Sequence, residues 1–330
     1  MLHANPYLSI VIPVHNEQEN LEELYRRLTA SLDKLGKTYE IILTNDGSTD
    51  NTSAMLKDLH DRRPDQIRVI EFNGNFGQHM AIMAGFERVR GEIVITMDAD
   101  LQNPPEDIDK LVAAMEAGHD VVNTYRQDRQ DNWWRLFVSK MHNKMRAWMM
   151  PKLKMEDEGC MLRAYRRDIV DLMASTGEAT TFIPALALNY ASNPTEVGVR
   201  HETRFAGKSN YNLYKLIRYN FDLVTGFSIF PLQIMTMIGM LVSFLSFMFV
   251  MFLILRRVMV GPEVEGVFTL FAIMFFLLGI VLLGLGVTGE YIGRIYQEVR
   301  KRPRFVVKRV LERPVVTAQS ETRFEVSRAD

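Results

Sequence analysis

Short apolar runs alternate with amphipathic stretches along the first hundred residues of the chain. Four runs, each bounded by turn residues, have the composition of buried strands: "LSIVIPV" (8–14), "EIILTND" (40–46), "IRVIEFN" (67–73) and "EIVITMDAD" (92–100). Leucines recur at spacings of three and four between Glu17 and Leu35, and a second helical stretch covers Asn51 to His60. This alternation predicts an α/β fold with a mostly parallel sheet, and ligands at the carboxyl ends of its strands.

Two long stretches in the last third of the chain carry no charge. They run from Leu223 to Leu255 and from Gly266 to Gly289, and each exceeds the roughly 20 residues needed to cross a bilayer core. We expect two transmembrane helices, at about 230–255 and 267–289. A buried helix of a soluble protein is the alternative, which charge-free runs of this length disfavour. Residues 206–227 mix aromatic and basic side chains, which predicts interfacial amphipathic helices.

Charge is balanced overall but unevenly placed. The chain has 39 basic and 40 acidic residues, so no global field favours nucleic acid. Basic residues concentrate at 200–218 and 294–313, on both flanks of the apolar region, which indicates a membrane surface. The positive-inside rule then places both termini in the cytosol. We expect a cytosolic catalytic domain over 1–205 and a basic cytosolic tail over 291–330, and the N-terminus shows no cleaved secretory signal.

A single cysteine, Cys160, excludes a disulfide or a cysteine-based metal site within one chain. Its apolar neighbours predict a small buried side chain. His79 stands at a predicted helix start, and we interpret it as a packing residue beside the site and not as a catalyst.

Two aspartates end the fourth predicted strand. Asp98 and Asp100 are one residue apart, so they lie on the same side of the strand, where two carboxylates repel each other unless a cation intervenes. Oxygen ligands suit Mg²⁺ or Mn²⁺, and Gln102 could add a neutral ligand. The alternative is an acidic turn in which one aspartate caps the following helix.

Polar residues also follow the first two strands. Glu17 comes after the first strand and Asp46 after the second. Taken singly, these residues could start a helix or form an Asp-Gly turn. Together with Asp98 and Asp100 they predict a nucleotide pocket at one edge of the sheet.

Six stretches resemble the polyprenyl-phosphate glycosyltransferases of glycosyltransferase family 2, across nearly the whole chain. They are "IVIPVHNE", "NDGSTDNT", "NFGQHMAIMAGF", "DADLQNPPE", "GCMLRAYRR" and "GEYIGRIYQEVRKRPR". The resemblance implies a GT-A catalytic domain, a UDP-sugar donor and a divalent metal, Mg²⁺ or Mn²⁺. It also implies undecaprenyl phosphate as acceptor, a bacterial inner membrane location, a role in lipid A modification and a homo-oligomer, which we expect to be a tetramer.

The resemblance also implies roles for individual residues. Metal binding falls to Asp98, Asp100 and Gln102. Nucleotide binding falls to Pro13, Glu17, Asp46 and Asp98. Catalysis falls to Asp100, Asp157 and Arg204. Acceptor phosphate binding is predicted for arginines whose forks match phosphate oxygens, and for one lysine: Arg126, Arg129, Arg135, Arg163, Arg204 and Lys208. The alternative for these basic residues is an exposed surface charge. Asn45, His15 and the order Lys208-Ser209-Asn210 depart from the family pattern.

A phosphate acceptor is already ionised near neutral pH, so the reaction needs positioning more than a strong base, and attack opposite the diphosphate inverts the anomeric carbon. "YRQDRQDNWWR" and "GCMLRAYRR" favour the branch of the family that transfers 4-deoxy-4-formamido-L-arabinose, with glucosyl or mannosyl transfer as the alternative. A processive polysaccharide synthase would carry a Gln-x-x-Arg-Trp motif and more spans. An inactive nucleotide-sugar-binding scaffold is disfavoured by the intact acidic motif.

Overall fold

The computed structural model describes residues 5–126, 157, 160–176, 182–202, 230–261, 267–300 and 303–313. Among them, eight strands form one mixed sheet in the order β7-β5-β6-β4-β1-β2-β3-β8. The strands are β1 Leu8–Val14, β2 Tyr39–Asn45, β3 Ile67–Phe72, β4 Ile93–Thr96, β5 Val121–Arg126, β6 Arg163–Arg166, β7 Pro194–Val199 and β8 Val307–Leu311. The helices are α1 Leu21–Leu35, α2 Thr52–Arg62, α3 Gln78–Phe86, α4 Ile108–Glu116, α5 Arg167–Ser175, α6 Ile183–Tyr190, α7 Phe230–Val260 and α8 Val267–Val299.

The centre of the sheet is parallel. Strand β1 pairs in parallel with β2 and β4, and β2 pairs in parallel with β3. These strands are buried on both faces, as their β-branched runs predict. The α/β fold class with a mostly parallel sheet is therefore confirmed. Strand β4 ends at Thr96, earlier than the predicted run to residue 100, so both aspartates lie in the loop that follows.

Two apolar layers enclose the central strands. On one face, the leucine stripe of α1 packs with Ile10 and Ile12 of β1, and α2 and α4 contribute to the same cluster. On the other face, Val11 and residues 81–86 of α3 pack with α5 and α6. The stripe of α1 is Leu21, Leu24, Leu28 and Leu32, all buried, as the spacing of three and four predicts.

The C-terminal segment returns to the catalytic sheet after α8. Strand β8 pairs antiparallel with β3, with Val69 opposite Leu311 and Ile70 opposite Val310. The ring of Phe305 stacks on Phe72 at 5.0 Å between centroids. The basic tail predicted over 291–330 therefore contains a strand that belongs to the catalytic domain. This strand covers the edge of β3, which would otherwise expose unpaired backbone groups.

Several basic residues of this segment pair with acids of the catalytic domain. Arg309 donates to both carboxylate oxygens of Glu71, at 2.6 and 2.8 Å. Arg304 lies 3.1 Å from Glu87. In one further pair the acid belongs to the C-terminal segment: the guanidinium of Arg68 in β3 lies 2.6 Å from the carboxylate of Glu312. The membrane-surface interpretation of the basic tail thus needs correction at Arg304 and Arg309, because Glu87, which follows α3, and Glu71 of β3 pair with their guanidinium groups.

Helices α7 and α8 have 31 and 33 residues, respectively. At about 1.5 Å per residue, either exceeds the roughly 30 Å hydrocarbon core of a bilayer. Their apolar windows, Phe230–Met259 and Ile273–Tyr296, are not covered by the rest of the chain. Two helices apolar and long enough to span a membrane thus stand at the predicted places, and α8 continues about ten residues beyond its predicted end. The interfacial helices predicted at 206–227 lie outside the described residues.

The pair Arg309–Glu71 allows a test of how strongly β8 is held. Glu71 has a side chain that is 3% exposed, so Arg309→Ala leaves a buried carboxylate whose remaining side-chain donor among the described residues is Ser53. Because Arg309 is itself 44% exposed, we expect a loss of about 1–3 kcal/mol in the free energy of unfolding, measured by thermal denaturation in detergent. Arg166→Ala, which breaks an exposed pair with Asp168, should cost less than about 0.5 kcal/mol. Equal effects of the two variants would contradict the buried-pair argument.

Candidate active site

The loops after β1, β2, β3 and β4 meet at one rim of the sheet through hydrogen bonds. The ring Nδ1 of His15 lies 2.8 Å from the carbonyl oxygen of Asp46. The carboxylate of Asp46 accepts hydrogen bonds from the backbone N–H groups of Phe76, at 2.6 Å, and Gly77, at 2.8 Å. Gln78 donates from Nε2 to Asp98 Oδ1 at 2.6 Å. The polar residues predicted at separate strand ends are therefore brought together.

Gly47 permits the close approach of two of these loops. Its φ is 67°, in the left-handed region that favours glycine. A Cβ atom at this position would lie 2.5 Å from the backbone carbonyl carbon of Gly74. The Asp-Gly turn after β2 is thus required by contact with the loop after β3, and any side chain here would force the loops apart.

The residues predicted to bind nucleotide have structural contacts of their own. Asp46 is 3% exposed, and both of its carboxylate oxygens are engaged by the loop after β3, so a contact with uridine would compete with those bonds. Glu17 precedes α1, and its carboxylate accepts a bond from the side chain of Asn20, the residue before the helix. Pro13 is buried within β1, opposite Thr44 of β2. The structure places all three at the rim.

Asp98 and Asp100 follow β4 and face different surroundings. Asp98 is partly exposed, whereas Asp100 is 5% exposed and its Oδ1 accepts the backbone N–H of Gln102 at 3.1 Å. Leu101, which lies between Asp100 and Gln102, has a φ of 60°, uncommon for a bulky residue and typical of backbone held in place at a functional site. The residues preceding the next helical turns are Pro104 and Asp107, so neither of the two aspartates caps a helix as the alternative interpretation required.

Asp98, Asp100 and Gln102 are the residues that could hold a divalent ion. Within the described part of the chain, no three His, Cys, Asp or Glu side chains are close enough to hold a metal by themselves. The protein would then supply two carboxylates and an amide. Mg²⁺ and Mn²⁺ sites of this kind keep positions for water and for substrate phosphate oxygens. The donor set therefore fits a divalent ion that is shared with a diphosphate.

A second charged group lies beside the loop that carries Asp98, Asp100 and Gln102, which we call the metal loop (residues 97–104). Asp157 is 6% exposed, and Arg126 at the end of β5 donates to its two oxygens, from Nε at 2.6 Å and from Nη2 at 3.0 Å. Arg126 keeps 25% of its side chain exposed, so it remains accessible to an anion. Among the other predicted acceptor residues, Arg129, Arg135, Arg204 and Lys208 lie outside the described residues.

Arg163 does not have the environment predicted for an acceptor-binding residue. Its side chain is fully buried, with 0% exposure, at the first position of β6. It donates to the carbonyl oxygen of Cys160 at 2.8 Å and to the side chain of Asn123 at 2.6 Å. A guanidinium enclosed in this way does not meet a phosphate from solvent, so the acceptor-binding prediction for Arg163 is replaced by a structural contact.

His79 and Cys160 have the packing roles predicted for them. The half-buried ring of His79 contacts Phe182 edge to face at 5.7 Å, and its Nδ1 has no hydrogen-bond partner within the described part of the chain. Burial, with a smaller contribution from the charge of Arg163, lowers the pKa of His79 to about 4. Cys160 is buried, and burial raises the pKa of its thiol.

His201 is a site residue that the sequence interpretation missed. Burial and the charge of Arg126 lower the pKa of this ring, while the carboxylates of Asp157 and Asp100 act in the opposite direction. The imidazole thus lies within electrostatic reach of both the acceptor-side pair and the metal loop. Only its position three residues before Arg204 pointed to it in the sequence.

The segment carrying His201 is tied to the metal loop by its neighbours. The N–H of Glu202 donates to the carbonyl of Gln102 at 2.9 Å. Arg27 of α1 bridges Glu202, at 2.9 Å, and Glu106, at 2.7 Å. The sequence analysis did not single out Arg27, because no motif surrounds it. An arginine on a helix is interpreted as a surface charge until its partners from distant segments are known.

Comparisons with known proteins give the family. The family profile described as Glycosyl transferase family 2 matches residues 9–173. The undecaprenyl-phosphate 4-deoxy-4-formamido-L-arabinose transferase of Edwardsiella ictaluri (strain 93-146) is 47% identical over 307 residues, covering 92% of this chain and 94% of that protein. The protein of the same name from Enterobacter sp. (strain 638) is 46% identical over 316 residues, covering 95% and 96%. The chain belongs to glycosyl transferase family 2. It is a glycosyltransferase, as the sequence resemblance implied.

The family match contains the rim itself. Residues 9–173 include the four strand ends and Asp157, whereas His201 and Glu202 lie beyond the matched region. In this glycosyltransferase, the contact of Arg27 with Glu202 joins the matched region to the residues beyond it.

Among solved structures, glucosyl-3-phosphoglycerate synthase from Mycobacterium tuberculosis in complex with phosphoglyceric acid is similar with a TM-score of 0.47 and 17% identity, covering 67% of this chain and 78% of that chain.

The low pKa of His79 predicts a dependence of stability on pH. The ring titrates at about 4 in the folded protein and at 6.5 ordinarily, so the unfolded chain binds more protons between these values. The folded state should lose stability as pH falls from 6.5 towards 4. We expect the melting temperature of the wild type to fall more steeply over this range than that of His79→Gln. His119→Gln, at a histidine near the protein surface, is the control and should keep the wild-type slope. Identical slopes for wild type and His79→Gln would contradict the assignment.

Proposed function

We propose that this glycosyltransferase moves 4-deoxy-4-formamido-L-arabinose from a UDP-linked donor to undecaprenyl phosphate, with inversion at the anomeric carbon. The observation that carries the proposal is the rim of the sheet, where Gln78 after β3 binds Asp98 of the metal loop and Asp46 after β2 binds the backbone of the loop after β3. The names of two relatives that match over nine-tenths of the chain support the choice of sugar and acceptor.

The acceptor side of the proposal rests on Arg126 and Asp157. The bidentate pair holds the guanidinium beside the metal loop while a quarter of its side chain stays accessible. A phosphate that approaches Arg126 would meet a planar fork matched to its oxygens. Because both oxygens of Asp157 are engaged by Arg126, we assign Asp157 to orienting that fork. The acceptor phosphate is ionised near neutral pH and needs no strong base.

Catalysis then depends on holding the two anionic substrates in line. Asp98, Asp100 and Gln102 would hold a divalent ion, which supplies charge neutralisation to the departing diphosphate. The contribution of the chain itself is to fix the positions of these ligand side chains. Asp100 is fixed by the N–H of Gln102, and Asp98 by the amide of Gln78. Anchors of this kind keep a site within the narrow geometry that efficient group transfer needs.

Membrane attachment follows from the character of the acceptor. A polyprenyl chain stays in the bilayer, so the enzyme must work at its surface. Helices α7 and α8 are apolar enough to cross it. The stretch "RRVMVGPEVEG" (256–266), which contains the end of α7 and the residues before α8, carries two acids and two bases, whereas basic residues dominate both outer flanks. We assign the catalytic domain and both termini to the cytosolic face of a bacterial inner membrane on this basis.

A lipid-product assay tests the proposed reaction. Purified protein in detergent is given undecaprenyl phosphate, Mg²⁺ and a radiolabelled donor, and organic-extractable label is counted. We expect product from UDP-formamidoarabinose, at a rate at least about 100-fold above that from UDP-glucose, because buried polar groups of a site reject a sugar that leaves them unpaired. Faster transfer of glucose would assign the enzyme to the glucosyl alternative. Absence of lipid-linked product from either donor would contradict the proposed acceptor.

The metal assignment has a test within the same assay. Asp100→Asn keeps the shape of the side chain and removes its charge, so we expect turnover to fall by about 100-fold or more. Asp109→Asn, at an exposed acid on α4, is the matched control and should keep wild-type turnover. Near-normal turnover of Asp100→Asn at saturating Mg²⁺ would show that Asp100 does not bind the ion.

A further inference from the structure

The buried guanidinium of Arg163 suggests a role that differs from phosphate binding. We propose that Arg163 is a positioning residue, which holds the backbone at Asp157 and Cys160 so that Asp157 can orient Arg126 for the acceptor. The inference rests on the proposed function for the role of Asp157 in orienting Arg126. The contacts of Arg163 with the backbone rest on the geometry alone.

Arg163 binds the backbone of the segment that it positions. It donates from Nε to the carbonyl oxygen of Cys160, at 2.8 Å, and from Nη2 to the carbonyl oxygen of Asp157, at 3.3 Å. A third bond, from Nη1 to Asn123 Oδ1 at 2.6 Å, fixes the guanidinium to β5. The guanidinium of Arg163 therefore connects the backbone of Asp157 with β5, the strand that carries Arg126.

The position of Arg163 in the sheet extends this link to the metal loop. In the antiparallel pairing of β6 with β4, Arg163 lies opposite Thr96, two residues before Asp98. Thr96 Oγ1 donates to the carbonyl of Met161 at 2.8 Å. The thiol of Cys160 also contacts Asn103, which follows Gln102, at 3.3 Å. Cys160 and Met161 are thus held from the metal loop and β4 on one side, and Arg163 is held from β5 on the other.

Burial of an arginine side chain is costly unless its donors are satisfied, so a purely structural role could be filled at lower cost by an apolar residue. What an apolar residue cannot do is bind two backbone carbonyls and an amide in one plane. The guanidinium fork offers five donors in fixed directions, and a lysine offers a single point charge. The geometry of Arg163 therefore fits a requirement for a particular path of the chain at Asp157.

The test compares Arg163→Met and Arg163→Lys with Arg166→Met, a matched control at the exposed end of the same strand. Two more variants complete a cycle: Asp157→Asn, and Asp157→Asn combined with Arg163→Met. For each protein the lipid-product assay gives kcat/KM for undecaprenyl phosphate, and calorimetry gives the Kd of UDP with Mg²⁺. The lysine variant keeps the test available if the methionine variant fails to fold.

The thiol of Cys160 supplies a readout that needs no substrate. It is the only cysteine of the chain and is 0% exposed, so its rate of reaction with a maleimide reports how often the segment opens. We expect Arg163→Met and Arg163→Lys to react about 10-fold faster than the wild type, and Arg166→Met to react at the wild-type rate. Wild-type protection in the two Arg163 variants would overturn the proposal, whichever acceptor the enzyme uses.

The kinetic expectations separate positioning from general damage. Loss of Arg163 should lower kcat/KM for the acceptor by about 10- to 100-fold, as a displacement of about 1 Å can do, and leave the Kd of UDP within about threefold. The double variant should be no worse than Asp157→Asn, because Arg163 acts through Asp157. Additive losses, or equal weakening of UDP binding, would overturn the proposal. If the wild type forms no lipid product, the proposed function fails, while Cys160 labelling still tests the contact.

Discussion

The parallel register of β1, β2, β3 and β4 is the constraint on which the rest of the structure depends. Strands that run the same way release their loops at one edge, and here those loops are in contact. Asp46 satisfies two backbone N–H groups of the loop after β3, each of which would cost about 1–3 kcal/mol if buried without a partner. This rim is therefore built largely from backbone geometry. Asp46 and Asp100 accept main-chain N–H groups, whereas the side-chain amide of Gln78 holds Asp98.

The proposed acceptor side, Arg126 and Asp157, is built on the antiparallel part of the sheet. Strand β6 lies between β4 and β5 and runs opposite to β4, so the chain enters it beside the metal loop. That entry places Asp157 close to Arg126 of β5, where a carboxylate and a guanidinium form a bidentate pair. The two halves of the site share β4, because Thr96 of that strand lies opposite Arg163 of β6.

The sequence contained much of the fold and the positions of the acidic residues, because both follow from local patterns. Alternation of apolar runs and leucine stripes predicted β1 to β4, α1 and α2 within a few residues. Strand β8 escaped prediction, since a five-residue strand rich in basic residues reads as a tail until its partners Glu71 and the edge of β3 are known. Arg163 was misread for a related reason. A sequence shows that an arginine is present, but its burial depends on three-dimensional packing around β6.

Arg27 shows how contacts between distant segments complete the site. Its guanidinium binds Glu106 beyond the metal loop and Glu202 in the segment after β7, which are 79 and 175 residues away along the chain. Glu202 in turn donates its N–H to Gln102. One arginine on α1 therefore ties the carboxyl end of the metal loop to the segment that bears His201 and leads on to Arg204. Only 17% of the Arg27 side chain is exposed, and two carboxylates from distant segments share it. The loop that carries Asp100 and Gln102 and the segment that bears His201 are therefore joined by an ion-pair network that lies outside both.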